Sequence, residues 1–390
     1  MELTFLQPLL DRPGPWASVV IDTSRATEDG AKQAELRLRA AVRELTRLGA
    51  DRRTVDAIAR QLGAESPSGS PPGRAVFAAD GRVVLDLPLA ASPAAAMATW
   101  AALPRLAPVL PLRAEYPDVL LARIDRTGAD LELSDGRRRR RVGGAQGPQA
   151  PQGRGRGHRS MPADRYEWHY QHRVEDTWDR TAQLIADEVA RQHAAAPDRV
   201  VVLTGDARER HEVRRRLPHP LGSLVVELDA GGRAPGGDDR ALDQELDHVR
   251  SHAVDERMER ALAELAAGRT RDPGTGHAVA PELAGRTAEG VPQVLRAARD
   301  RNLATLLLDD SAPDAARTVW TGPDACQLAP GRSEVHALGA HYPLPARADD
   351  ALLRAAVALD ADAITVPTGA PGPIGGVGAL LRWPQRADAA

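Results

Sequence analysis

One lysine, Lys32, and one cysteine, Cys326, stand in a chain of 390 residues. A lone cysteine excludes an internal disulfide and fits a reducing compartment. No apolar run approaches the roughly 20 residues that span a bilayer, and the opening MELTFLQPLLDRPGPW lacks the basic start and small-residue cleavage site of a secretory signal. A cytoplasmic protein with no membrane partner is expected. The chain holds no Gly-x-x-x-x-Gly-Lys loop for nucleotide phosphates, which Lys32 is not placed to serve, and no Gly-x-Ser-x-Gly nucleophile elbow. No repeat of fixed period runs through it. The net charge of -3 exerts no general pull on nucleic acid, so any such case rests on where the charges lie. Every cation other than Lys32 is arginine or histidine, and the heavy use of Ala, Gly and Pro fits a high-GC genome, which accounts for part of the arginine.

At this length one ordinary core does not suffice, and 42% hydrophobic residues are enough to bury several. The pattern predicts an α/β (α+β) fold in three domains. An N-terminal α/β domain takes residues 1–113, a central domain with a mixed sheet and long helices takes 114–270, and a layered α/β domain takes 275–390. In the first, residues 16–22 (WASVVID) read as a buried strand, and Leu38, Val42 and Leu45 form one stripe of a helix over 33–48. A second short helix carries Val55, Ile58 and Leu62. Asp80-Gly81 between two apolar runs marks a tight hairpin.

The central domain opens with another hairpin, 118–125 and 129–133 about the turn Arg126-Thr127-Gly128, followed by a long polar loop from 136 to about 162. A helix over 166–193 then leads to strand, helix and strand at 200–204, 207–217 and 224–228. That β-α-β order predicts a partly parallel sheet. A polar helix over 240–267 closes the domain, and RDPGTG at 271–276 reads as a linker. The third domain has a helix over 291–302, a core strand at 304–308, a helix at 352–359 and a strand at 363–366.

The charge is concentrated in the loop. Residues 137–160 read RRRRRVGGAQGPQAPQGRGRGHRS, with eight arginines, one histidine and no acid. Nothing here builds a core. Arg137, Arg138, Arg139, Arg140 and Arg141 repel one another unless an anion supplies counter-charge, and phosphate does so through paired guanidinium hydrogen bonds. Gly143, Gly144, Gly155 and Gly157 let the backbone approach such a partner, beside Arg154, Arg156, His158 and Arg159. Two readings stand: a solvated loop in an arginine-biased chain, or contact with RNA recognised mainly by shape.

This loop and the helix after it carry a resemblance. GRGRGHRS followed by residues 166–182 resembles the central domain of the class-1 release factors and Pelota, in which a basic glycine-rich loop precedes a long helix. VVVLTG at 200–205 looks like that domain's strand. VPQVLRAARDRNLATLLLDD at 291–310 and GPIGGVGALLRW at 372–383, with Gly372, Gly375, Gly376 and Gly378, look like the opening and the glycine-rich end of the family's third domain. Residues 1–113 agree only in size and position. Among bacterial members, the chain looks most like hibernation factors of the Balon type and their actinobacterial relatives.

The resemblance implies a ribosome partner. The central loop would lie near the peptidyl-transferase centre of the A site, the first domain toward the decoding region, and the third domain against elongation factor Tu, with no cofactor and a monomeric chain. The family's loop tip is Gly-Gly-Gln-Ser. Matching Ser160 to its serine puts Gly157-His158-Arg159 where Gly-Gly-Gln would be. A guanidinium has no acceptor and does not deprotonate, so Arg159 does not place a water as glutamine does. The expected role is therefore occupancy of the ribosome without peptide release. The alternative is peptidyl-tRNA hydrolysis for rescue, using Gln146 from the displaced Gly143-Gly144-Ala145-Gln146 or a water on His158.

Other groups give less. His169 and His172, and His248 and His252, have spacings for two metal ligands on a helix but lack the rest of a zinc pattern, so solvated histidines and no metal are expected. The glycines after 366 are followed by ALLRW, a strand, so the helix N-terminus of a dinucleotide loop is missing. Cys326 reads as an inert buried thiol.

Overall fold

The computed structural model describes residues 1–10, 12–24, 30–64, 71–113, 115–136, 138–147, 163–233, 239–269, 283–309 and 311–385, with side chains throughout except at 30–31 and 163–177. The chain forms two compact units, one from Met1–Ala114 with Met258–Ala390, the other from Glu115–Arg257.

In the first unit, strand β1 (Trp16–Asp22) is followed by helices α1 (Gly30–Arg47) and α2 (Arg52–Gly63) and strands β2 (Gly73–Ala79), β3 (Arg82–Leu89) and β4 (Met97–Ala101). The sheet order is β3-β2-β1-β4, all antiparallel. Side chains on a strand alternate between faces, and β1 is apolar on both. Ala17, Val19 and Ile21 pack with Leu45, Val55 and Ile58 of the two helices, while Trp16 and Val20 belong to a second core. That double burial is why its sequence is almost unbroken apolar. The hairpin turn forms as its Asp-Gly signal predicts, with Asp80 and Gly81 both at positive φ.

The second unit contains β5 (Val119–Asp125), β6 (Gly128–Ser134), β7 (Arg139–Gln146), α3 (Ala163–Ala194), β8 (Val200–Gly205), α4 (Ala207–Arg216), α5 (Leu221–Leu224), β9 (Val226–Leu228) and the beginning of α6 (Asp239–Arg269). The strand order is β7-β6-β5-β8-β9, with β5, β8 and β9 parallel and the β5-β6-β7 meander antiparallel. Period-two alternation again divides the core. Leu120, Ala122 and Ile124 of β5 face Ile185 and Val189 of α3 and Val213 of α4; Val119 and Leu121 face Leu242 and Leu246 of α6. The sequence placed a strand at 224–228, but Leu224 closes the short α5 and only 226–228 join the sheet.

After α6, whose Ala261 and Leu265 pack in the first unit, come β10 (Thr287–Glu289), α7 (Val291–Arg299), β11 (Leu303–Leu308), β12 (Thr318–Thr321), β13 (Leu328–Ala329), α8 (Arg332–Ala337), β14 (Leu344–Arg347), α9 (Ala348–Ala358), β15 (Asp362–Thr365) and β16 (Val377–Leu381). They form a sheet ordered β10-β16-β11-β15 and a small one ordered β13-β12-β14. Helix α9 is buried on nearly every side, and its alanines let neighbours approach all round. Its Leu352 and Leu353 share one continuous core with Trp16, Phe77 and Leu110, so the N- and C-terminal segments fold around a common interior. The protein is thus α/β, with mixed and antiparallel sheets.

Candidate nucleic-acid interface

The arginine run begins a strand. The sequence predicted a loop from 136 to about 162, whereas residues 139–146 form β7, the outermost strand of the central sheet. The β6 ladder draws them in: Arg139 pairs with Ser134, Arg140 with Leu133, Arg141 with Glu132 and Gln146 with Gly128, with a bulge between Leu131 and Glu132. Val142 and Ala145 supply enough apolar surface to seat the strand against the core under α3.

The strand sorts the arginines. Arg139 lies 3.4 Å from Asp239 and 3.3 Å from Asp243 on α6, and Arg141 lies 2.6 Å from Asp130 on β6. The hydrogen bond from Arg123, with Arg139 adding its charge, holds the Asp239 carboxyl below the usual carboxylate range. Arg138 and Arg140 are exposed, and neither has an ion-pair partner among the described residues. The Arg138 N–H donates to Asp135 Oδ1 at 2.8 Å, which fixes the backbone where the strand begins. Arg137, Arg154, Gly155, Arg156, Gly157, His158, Arg159 and Ser160 lie outside the described residues.

The strand glycines have a packing role that the sequence reading missed. A Cβ on Gly143 would come 2.3 Å from Glu188 Oε1, and one on Gly147 would come 2.0 Å from Thr181 Oγ1. Glu188 and Thr181 are two turns apart on α3, so these glycines let that helix cross the edge strand closely. A Cβ on Gly144 would sit 2.9 Å from the Ala129 carbonyl oxygen. Gln192 ties helix to strand, its Nε2 donating to the Val142 carbonyl at 3.2 Å. Gln146 is the exposed last residue of β7, its backbone held in the ladder.

In the first unit the C-terminal glycines build a turn. Gly375 and Gly376 take φ of 70° and 74°, a region L side chains rarely adopt, and a Cβ on Gly376 would lie 2.1 Å from Ala312 Cβ. This lets the Asp309 N–H donate to the Gly376 carbonyl at 2.8 Å. A Cβ on Gly378 would press on Pro373 and Leu265, while Gly372 has only ordinary contacts. The ALLRW stretch enters β16, as the sequence predicts.

His248 and His252 are exposed, His252 lying 3.4 Å from Glu256, and the side chains of His169 and His172 lie outside the described ones. Among the described residues no group of three or more His, Cys, Asp or Glu is placed to hold a metal ion. Cys326 is buried, and burial raises its thiol pKa. No helix among the described residues is long and apolar enough to cross a membrane.

Comparison with known proteins bears on the same unit. The model of bacterial archaeo-eukaryotic release factor family 2 matches residues 118–271. The uncharacterized protein Rv2629 of Mycobacterium tuberculosis is 27% identical over 384 residues, spanning 97% of this chain and 96% of that one. The crystal structure of the archaeal translation termination factor aRF1 aligns over 95% of this chain and 93% of its own, at 14% identity and a TM-score of 0.25. A model of ribosome-bound archaeal Pelota and ABCE1 aligns over 98% and 94%, at 13% identity and a TM-score of 0.33. Such low scores leave the assignment to the family match. That match covers residues 118–271, the segment in which this chain is similar to the bacterial archaeo-eukaryotic release factors.

Proposed function

We propose that the protein is a cytoplasmic, monomeric ribosome-binding factor that occupies the A site during stress without releasing peptide, in the manner of Balon-type hibernation factors. The observation that carries this reading is the division of the arginine run. Arg139 and Arg141 satisfy acids of the fold, while Arg138, just before the edge strand, and Arg140, on it, stand exposed without an ion-pair partner among the described residues. Unneutralised guanidinium groups beside one another favour a polyanionic partner, and phosphate fits their paired donors. Arg137, Arg154, Arg156, His158 and Arg159 extend the same chemistry in the sequence, with Gly155 and Gly157 spacing them.

Within this proposal, residues 1–113 face the decoding region, 114–270 carry the RNA contact, and 275–390, with the Gly372 to Gly378 turn, receive elongation factor Tu. Arg159 at the position of the family's glutamine supports binding without hydrolysis. Gln146 supports it too, because the hydrolytic alternative needs that amide on a reaching loop and its backbone is paired with Gly128 in the sheet.

The test mixes the full-length protein with ribosomes stalled on a nascent chain and follows both co-sedimentation and freed peptide. Binding with the peptide retained is expected. Efficient release, lost in Gln146→Ala or His158→Ala, would establish the hydrolase instead.

A further inference from the structure

At the opposite end of β6 from the arginine run, the turn of the β5–β6 hairpin is held from three sides. Asp125 Oδ1 accepts the Thr127 N–H at 2.7 Å, the Thr127 hydroxyl at 2.6 Å and the Gly128 N–H at 3.0 Å. Arg233 clamps it, donating to Asp125 at 2.8 Å and to Asp130 at 2.7 Å. Burial works against the Asp125 charge, but the bonds from Thr127 and Arg233 outweigh it and hold its carboxyl below the ordinary range. Gly147, from which the chain continues toward Arg154, Arg156 and Arg159, donates its N–H to the Thr127 carbonyl at 2.9 Å. The turn is therefore pinned, and it stands against Gly147, the residue after β7.

Its tip is Arg126. The side chain is 86% exposed, yet it does not hang free: Nε donates to Glu209 Oε1 on α4 at 3.2 Å, and that carboxylate is only 5% exposed. Neither Nη1 nor Nη2 has a hydrogen-bond partner among the described residues. One edge of the guanidinium is thus anchored, and the other, the edge that grips phosphate oxygens in pairs, faces solvent. Anchoring lowers the entropy lost when such a side chain binds. Arg208, exposed in the first turn of α4, adds a positive charge nearby, and exposed Asp206, which caps that helix, adds a negative one.

We propose that this hairpin tip is a second phosphate-contact point, at which Arg126 meets an RNA backbone; the proposal rests on the RNA-binding reading above. The contact is to phosphate rather than to a base edge, so it contributes affinity and salt dependence without sequence preference. It places one RNA contact outside the arginine run, on a preformed turn.

The experiment is co-sedimentation of full-length protein with purified bacterial ribosomes between about 50 and 200 mM salt, plotting the logarithm of the binding constant against that of salt. Arg126→Gln is expected to reduce the slope by about 1, Arg126→Glu to reduce it further, and Arg126→Lys to keep the slope of the parent. Circular dichroism verifies that each variant is folded. If Arg126→Gln and Arg126→Glu keep the parent's slope while Arg140→Gln lowers it, the second contact is wrong and the RNA-binding reading stands. If the parent fails to pellet with ribosomes at the lowest salt, both fall together.

Discussion

The Asp350 carboxylate accepts the backbone N–H of Leu106 at 2.8 Å, so the first turn of α9 caps a turn that lies 244 residues earlier in the chain. Arg105 joins the pair, its Nη1 lying 3.0 Å from Asp350 and 2.8 Å from Asp349. Two buried carboxylates share the Arg105 guanidinium, and Arg347 lies 2.8 Å from Asp349 as well. Burial first, and then the charge of Asp349, push Asp350 up to about 6 from an ordinary 3.8, against the pull of Arg105.

A pH dependence follows. A carboxyl whose folded pKa exceeds its unfolded value contributes stability that is complete below the unfolded value and is lost as pH rises through the folded one. Asp350 should therefore favour the folded first unit at pH ~5 over pH ~7, by on the order of 1–3 kcal/mol. Urea midpoints across this range should rise toward the acid side in the parent, and the Asp350→Asn profile should be flatter. Parallel profiles would assign the dependence to other groups.

The glycines of the edge strand should differ in tolerance. Gly147→Ala pushes its methyl against Thr181, whose branched Cβ and Cγ2 both lie 3.0 Å away and whose rotamers are few, at a cost of about 1–3 kcal/mol. Gly143→Ala meets chiefly the end of Glu188, which swings aside at the expense of its contacts with Arg191 and Gln192. Thermal melting should rank Gly147→Ala as clearly the less stable; the reverse ranking would misplace α3 over β7.

Charge removal should separate structural from binding arginines. Asp130 serves both Arg141 and Arg233, the latter only 16% exposed, so Asp130→Asn should destabilise the central unit by about 1–3 kcal/mol. Arg140 has no ion-pair partner among the described residues, so Arg140→Gln should shift stability by no more than about 0.5 kcal/mol. Chemical denaturation measures both. Equal losses would mean that the run serves the fold alone.

Much of the architecture is legible in the sequence because local signals and burial agree. The apolar run of β1, the Asp80-Gly81 turn and the 200–216 strand and helix all form where periodicity puts them. The site is less legible. Arg139 to Gln146 has neither alternation nor β-branched enrichment beyond Val142, so nothing local announces a strand; pairing with β6 and the lid of α3 create it. The same long-range contacts decide which arginines are neutralised, since Asp239 and Asp243 lie 100 residues or more beyond. Gly143 reads as a loop glycine because the helix that needs its small size is distant in the chain, and Gly144 because the Ala129 carbonyl it must clear belongs to the neighbouring strand. Arg126 reads only as part of a turn, because its anchor Glu209 comes from another element.

The central claim, that exposed Arg138 and Arg140 at the start of β7 grip phosphate, is tested most directly by ribosome co-sedimentation of the parent and of the Arg138→Gln, Arg140→Gln double variant across a salt series. The account predicts tight binding at low salt and a slope about 2 smaller in the double variant, with its fold intact. A parent that ignores ribosomes at low ionic strength, or a double variant with an unchanged slope, would contradict it.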